Sequence, residues 1–293
     1  MSTTTSPNTG LRYGLRLVCR IWEAPRSSVF YLRKDRPAPQ KRGPKPIIPD
    51  AELIPMIRED LASSSFREEV HRKVYYRLKH EKKIRVAPKR ILRLMREHAL
   101  LSPQRAPKGE AKTHDGTITT EKPLGMWGTD GTTVQVVDEG TVWIFGAIEH
   151  WNAECVGIHA CKTGDRFNAM EPIRQGIRKH YGSLAKGIAA GLAVRCDQSS
   201  QYTSGHFQTE LKLLGIRQNL AYVSEPETNG VIERFWKTLK KQVIEGRVYQ
   251  TLADLRKALK DFVDLYNRHW RLEKLGGRSS EEARQAWLSQ QAA

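Results

Sequence analysis

Residues 193–233, AVRCDQSSQYTSGHFQTELKLLGIRQNLAYVSEPETNGVIE, decide the fold that the chain is expected to adopt. Their first four residues, Ala193–Cys196, form a short apolar run that predicts a buried strand ending on Asp197. Ser204 follows at a position suited to cap the N-terminus of a helix over 205–214. This segment therefore predicts a strand that passes directly into a helical region, with a carboxylate at the junction.

The second half of the same stretch repeats the alternation. Residues 216–223 predict another strand, and a helix is expected to begin near Asn229 and to run to about Ile244. Glu233 falls in the first turns of that helix. Ligands of α/β sheets bind beyond the carboxyl ends of the strands, so Asp197 lies where such a crevice is expected.

Upstream of this stretch the hydrophobic period is that of strands. Three strands are predicted over 127–137, 141–149 and 154–160, and a helix is predicted over 166–181. A last long helix is expected over 252–270. Asp130 lies inside the first strand. We therefore predict an α/β fold, a mixed sheet with helices on its faces.

The charge distribution separates this region from the N-terminal third. Lys and Arg number 49 against 32 Asp and Glu, a net charge of +17, and residues 1–112 hold 26 of the bases but only 11 of the acids. A basic excess of this size indicates a polyanionic partner, and DNA is the expected one. The four cysteines are scattered without a CxxC pair, and no signal peptide or apolar run of membrane-spanning length is present. We expect a cytoplasmic, nucleoid-associated protein with no membrane contact.

Small helical modules are predicted before the sheet. Residues 1–10 are expected to be disordered, and two short helices in 11–34 resemble a helix-turn-helix, although a plain helical hairpin fits equally well. A basic, Pro-rich linker over 35–49 leads to a second helical module over 50–102. Another linker over 103–122 separates these all-α modules from the sheet domain.

In the second module Asp50 is expected to cap a helix over 51–62, and a further helix is predicted over 66–80. A strand-like segment, 84–86, precedes a helix that Pro88 opens. Four bases of that last helix are expected to contact DNA, mostly at phosphates, although a solvated helix face has the same pattern; they are Lys89, Arg90, Arg93 and Arg96.

Three carboxylates carry the expected chemistry. Taken singly, Asp130 is typical of a sheet rim, and Glu233 is an ordinary helix N-terminal acid that could pair with Lys237. Taken together, a central strand, a neighbouring strand end and a helix can bring Asp130, Asp197 and Glu233 to one edge of the sheet. Hard oxygen ligands suit Mg²⁺ or Mn²⁺, and two such ions support in-line phosphoryl transfer.

The residues around these acids resemble a known family. The blocks are Trp127-Gly128-Thr129-Asp130-Gly131-Thr132, the segment CDQSSQYTS over 196–204, and PETNGVIERF over 226–235. Their order, the 35 residues between Asp197 and Glu233, and the flanking Trp, Gln-Tyr and Asn-Gly residues resemble integrase-type DDE transposases of bacterial insertion sequences, the second-frame proteins related to retroviral integrases. The resemblance covers residues 120 to about 285.

This resemblance implies a ribonuclease H-like catalytic core over 123–285, with 286–293 as a tail. It implies Asp130, Asp197 and Glu233 as catalytic ligands of two Mg²⁺ or Mn²⁺ ions. It also implies DNA contacts by Lys237, Lys240 and Asn229, and helix spacing agrees, since positions four and seven after Glu233 return to its face. Two departures are Ser199, where the family usually has Gly, and Asn267-Arg268-His269-Trp270, which replaces an Asn-Arg-Pro-His-like tail.

The expected function is that of a transposase, which cuts DNA at element ends and joins those ends to target DNA. Two alternatives remain from the sequence. One is a catalytically decayed DNA-binding repressor of transposition, and the other is a purely hydrolytic ribonuclease H-like nuclease. A homo-oligomer on DNA is expected, because two ends must be joined together, and a first-frame partner protein is possible.

Overall fold

Five strands form one mixed sheet in the computed structural model, which describes residues 4–33, 47–102, 120–220 and 230–292. The strands are β1 (Met126–Val136), β2 (Gly140–Glu149), β3 (Cys155–Cys161), β4 (Ala193–Cys196) and β5 (Arg217–Leu220). Their order across the sheet is β3-β2-β1-β4-β5. The first three strands pair antiparallel, whereas β1 with β4 and β4 with β5 pair parallel. This order and these directions are those of the ribonuclease H-like fold, so the predicted fold class is confirmed.

Helices cover both faces of the sheet. The helices of this part are α6 (Arg166–Tyr181), α7 (Ser200–Thr203), α8 (Gly205–Leu214), α9 (Gly230–Leu239), α10 (Leu252–His269) and α11 (Ser280–Gln291). One core joins α6 and α8 to one side of the sheet around Trp127 and Phe207. The other core joins α9 and α10 to the opposite side around Phe235 and Leu259. All four residues of β4 are buried between these two layers, and three of them, Ala193, Val194 and Cys196, are apolar.

The helix α6 has the bounds predicted from the sequence, and the predicted cap of α8 is present. Asp165 accepts hydrogen bonds from the backbone N–H groups of Phe167 and Asn168 at the start of α6, and Gly182 ends it with a φ of 82°. Ser204 accepts one from Phe207 N at the start of α8. These side chains satisfy N–H groups that a helix leaves unpaired, so both boundaries follow from local sequence.

Three further helices precede the sheet and have a core of their own. They are α3 (Asp50–Ser63), α4 (His71–His80) and α5 (Pro88–Glu97), and their buried side chains include Leu53, Val74 and Ile91. The segment after α3 is tied to the residues that follow α9. The side chain of Gln242 accepts a hydrogen bond from Arg67 N at 2.9 Å and donates one to Arg67 O at 3.0 Å.

Several predicted details of these helices are wrong. Asp50 does not cap α3, because it is the first residue of the helix and its carboxylate binds Arg90 and Arg93 instead. The helix predicted over 66–80 begins only at His71, and residues 84–86 form no strand. The helix expected to continue to Ile244 is α-helical only to Leu239, and residues 240–244 make a π-helical turn.

The chain divides by contacts into two units, residues 1–47 and 48–293. The first unit contains α1 (Leu15–Ile21) and α2 (Arg26–Arg33), the two short helices that the sequence predicts. Cys19 of α1 is buried. The two predicted linkers fall largely on 34–46 and 103–119, outside the described residues. At the other end, α11 runs through residue 285, where the core was expected to end. Within the described ranges, no helix is long and apolar enough to cross a membrane.

Candidate active site

Asp130 and Asp197 lie on adjacent parallel strands at the same height. The register pairs Trp127 with Val194 and Gly128 with Arg195. Asp130 and Asp197 are each two residues beyond the last of these pairs, at the carboxyl end of β4. The sheet itself therefore brings together the two aspartates that the sequence places 67 residues apart.

The carboxylate of Asp130 is largely buried and held at both oxygens. Its Oδ1 accepts a hydrogen bond from Gly131 N at 2.8 Å, and its Oδ2 accepts one from the indole Nε1 of Trp236 at 3.0 Å. Burial raises the pKa of Asp130 to about 6, and the negative charges of Asp197 and Glu233 add to this rise. The charges of Asp197 and Glu233 therefore both act on the carboxylate of Asp130.

Asp197 is exposed at the turn between β4 and α7. Its Oδ1 accepts a hydrogen bond from Ser199 N at 3.0 Å. Ser199, the residue that departs from the family pattern, has φ −64° and ψ 156°, an extended conformation that any residue adopts. The backbone beside Asp197 therefore does not require glycine at position 199.

Glu233 is exposed near the start of α9, a helix whose buried residues are Ile232, Phe235, Trp236 and Leu239. Lys237 and Lys240 are also exposed, four and seven residues further along. Within the described part of the chain, Glu233 forms no ion pair, so the ordinary pairing with Lys237 is not observed.

The three acids are near one another without forming a closed cluster. In the described ranges, no group of three or more His, Cys, Asp or Glu side chains is arranged to hold a metal ion as it stands. Like charges repel, and this favours separation of carboxylates that no cation bridges. The donor set consists of carboxylate oxygens alone, which is the chemistry that Mg²⁺ and Mn²⁺ prefer. The residues present therefore fit such ions.

Two aromatic residues line the site and were not predicted from the sequence as part of it. Trp236 donates to Asp130, as described above. Tyr202 is 2% exposed behind the acids, and burial together with the charges of Asp130 and Asp197 raises its pKa well above the usual value. The phenol consequently stays protonated. Sequence spacing places Trp236 one turn from Glu233 but does not show that its indole contacts Asp130.

The predicted DNA contacts differ in their surroundings. On α5, Lys89 and Arg96 are exposed, whereas Arg90 and Arg93 bind the carboxylate of Asp50. Arg90 also donates to Ile48 O at 2.6 Å. Asn229, the remaining predicted contact, lies outside the described residues.

Comparison with known proteins finds similarity to integrases and to transposases of insertion sequences. Residues 214–279 match the family described as "Integrase core domain", a range that includes Glu233 but neither aspartate. The chain is 33% identical over 144 residues to the transposase of insertion sequence IS904 from Lactococcus lactis, an alignment that spans 49% of this chain and 54% of that protein. It is 25% identical over 199 residues to the putative transposase InsD of insertion element IS2E from Escherichia coli, which spans 66% of this chain and 89% of that protein.

Among solved structures, the catalytic core domain of HTLV-2 integrase in complex with magnesium is similar, with 14% identity, a TM-score of 0.42, and coverage of 55% of this chain and 97% of that one. The catalytic core domain of BIV integrase is 18% identical with a TM-score of 0.42, over 58% of this chain and 99% of that one.

The chain spans about half the length of the IS904 transposase. The resemblance to integrase-type transposases of insertion sequences is confirmed by the family match and these curated relatives.

Proposed function

We propose that this protein is a DDE transposase that cuts DNA at the ends of a mobile element and joins those ends to target DNA. The observation that supports the proposal is the parallel register of β1 and β4, which sets Asp130 and Asp197 side by side, and the charges of Asp197 and Glu233 both act on Asp130. The similarity to insertion-sequence transposases supports DNA as the substrate class.

The proposed chemistry is phosphoryl transfer in two steps. Water first attacks the phosphodiester at the element end, the P–O bond to the element's 3′ oxygen breaks, and a free 3′ hydroxyl results. That hydroxyl then attacks a target phosphodiester, and the target's own 3′ oxygen leaves. Two divalent cations in the site would activate the attacking oxygen and stabilise the leaving one.

Each residue has a distinct part in this proposal. Asp130, Asp197 and Glu233 would hold the two cations through their carboxylate oxygens. Lys237 and Lys240 are exposed on the helix that carries Glu233 and would bind backbone phosphates of the element end. Holding the reacting groups in line and neutralising their charge supplies the rate enhancement.

The direct test is a strand-transfer assay with Mg²⁺ and the native element ends. Asp130→Asn, Asp197→Asn and Glu233→Gln are each expected to abolish cutting and joining while gel-shift binding of the same DNA persists. Joined products in the wild type exclude a purely hydrolytic nuclease. End binding without any metal-dependent cutting would identify the protein as a repressor, and joining by Glu233→Gln would refute the site.

The same proposal places the protein on DNA as a homo-oligomer, because two element ends react together, and at the nucleoid of a bacterial cytoplasm. Sedimentation with paired-end DNA measures the first point. A complex with one protein per pair of ends that still joins them would contradict it. Adding or omitting a first-frame protein in the same assay shows whether such a partner is needed.

A further inference from the structure

The contact between Trp236 and Asp130 is the most specific feature of the site that the proposed roles leave unused. The indole Nε1–H donates to Asp130 Oδ2 at 3.0 Å, while the backbone N–H of Gly131 donates to Oδ1 at 2.8 Å. One donor on each oxygen fixes the rotation of the carboxylate about its side-chain bonds. Each oxygen keeps a further lone pair for another partner.

We propose that Trp236 is a positioning residue for Asp130: its indole N–H holds the carboxylate in the rotamer that binds a divalent cation. The inference rests on the proposed metal-dependent function. Groups that orient a ligand from behind are worth roughly 10–100-fold in metal affinity or activity at other metal sites. Trp236 orients Asp130 in this way, through its indole N–H.

The indole is itself held rigidly, as a positioning group must be. Trp236 is 5% exposed and packs with Phe235 in the core between α9 and the sheet. On its other side lies Gly146, the residue of β2 that pairs directly with Asp130. A Cβ at position 146 would lie 3.0 and 3.1 Å from two indole carbons, so the absence of a side chain there lets the ring approach the strand.

This arrangement also links two of the three acids. Trp236 and Glu233 are on α9, three residues apart, whereas Asp130 is on β1. The hydrogen bond therefore fixes the helix that carries one proposed ligand to the side chain of another. A movement of α9 along its axis would displace Glu233 and the donor of Asp130 together.

A purely structural role for the ring makes a different prediction, and Trp236→Phe separates the two. The substitution keeps a buried aromatic ring and removes the N–H donor. Trp143→Phe is the control, because Trp143 is a partly buried indole over the same sheet, stacked on Phe145 at 5.6 Å, and it makes no described hydrogen bond to the three carboxylates.

The first measurement is the affinity of the DNA-free protein for Mn²⁺, determined by calorimetry. Thermal melting verifies that each variant is folded. We expect Trp236→Phe to weaken Mn²⁺ binding by about 10-fold or more and Trp143→Phe to change it less than about 2-fold. Gly146→Ala, which displaces the indole without removing it, should also weaken binding and serves if Trp236→Phe does not fold. Wild-type affinity in folded Trp236→Phe, or in Gly146→Ala where only that variant folds, would overturn the proposal.

The second measurement reports on the hydrogen bond without any metal. The chain has seven tryptophans, so the ¹⁵N spectrum should show seven indole signals, and the one absent from Trp236→Phe belongs to Trp236. Asp130→Ala should shift that signal most, and an unmoved signal would refute the contact. A second outcome is that Asp130→Ala shifts the indole signal but the wild type binds Mn²⁺ no better than Asp130→Asn. This result would confirm the contact between Trp236 and Asp130 and refute the metal site, and with it the positioning role of Trp236.

Discussion

Asn267 on α10 completes the hydrogen bonding of Cys155 on β3, the edge strand of the sheet. Its side-chain Oδ1 accepts from Cys155 N at 2.9 Å, and its Nδ2 donates to Cys155 O at 2.9 Å. Both residues are buried. The amide takes the place that a neighbouring strand would occupy, so the edge is closed by a side chain rather than by further pairing.

Asn267→Ala is therefore expected to destabilise the core strongly. It leaves a buried N–H and a buried C=O without partners, at a cost of about 2–5 kcal/mol for the two groups together. Urea unfolding measures the change. Arg268→Ala is the control. Arg268 is next to Asn267 in the chain and its side chain is 65% exposed, so the substitution should alter stability by less than about 0.5 kcal/mol. Equal midpoints for the two variants would contradict the role of Asn267.

Asp197→Asn should change stability in opposite directions with and without metal. Asparagine keeps the acceptor for Ser199 N and removes the charge that repels buried Asp130. In EDTA the variant should be more stable than the wild type, by up to about 1 kcal/mol. In Mg²⁺ at about ten times its dissociation constant, the wild type should gain about 1.4 kcal/mol and the variant little. Thermal melting in both buffers tests this, and a wild type that Mg²⁺ leaves unchanged would argue against the metal site.

His150 should make the protein less stable in mild acid. It is 4% exposed after the end of β2, and burial, together with Lys274 and Arg195, lowers its pKa from 6.5 to about 4. Between these values the unfolded chain binds the proton more tightly, so stability falls as the pH drops through this range. The loss from pH 8 to pH 5 is about 2 kcal/mol. Over the same pH interval, the His150→Phe variant should lose about 2 kcal/mol less stability than the wild type. Equal losses for the two proteins in urea titrations would show that His150 is not the cause.

The fold was largely predictable because its determinants are local. The helix α6 begins at a capping Asp165 and ends at Gly182, and both signals are visible in the sequence. The strand β4 is short and mostly apolar, and it ends at Cys196, directly before Asp197. Hydrophobic period and capping residues define such elements without knowledge of what packs against them.

The roles that were missed depend on contacts between distant segments. Asp50 has the sequence position of a cap, but two arginines about 40 residues later bind its carboxylate. The bond from Trp236 to Asp130 joins residues separated by 106 positions. Sequence period shows which face of an element is apolar but not which partner covers it. A single sequence therefore indicated the three acids through their motif and could not show what orients them.

The bases of α5 should separate into a DNA-binding pair and a structural pair. Arg90 donates to Asp50 and to Ile48 O, and only 18% of its side chain is exposed. Lys89 and Arg96 are exposed and free to reach phosphates. We expect Lys89→Ala and Arg96→Ala each to weaken DNA binding at all sequences and to reduce the slope of log K against log salt by about 1, without a change in unfolding.

Arg90→Ala should instead lower the free energy of unfolding by about 1–3 kcal/mol, because it leaves the Ile48 carbonyl without its charged donor and the Asp50 carboxylate with Arg93 alone. At a temperature where the variant is folded, its salt slope should equal that of the wild type. Lys257→Ala is the control for both measurements, since Lys257 is exposed on α10 and pairs with Asp261. A reduced salt slope with unchanged stability in Arg90→Ala would show that this arginine leaves Asp50 and binds DNA.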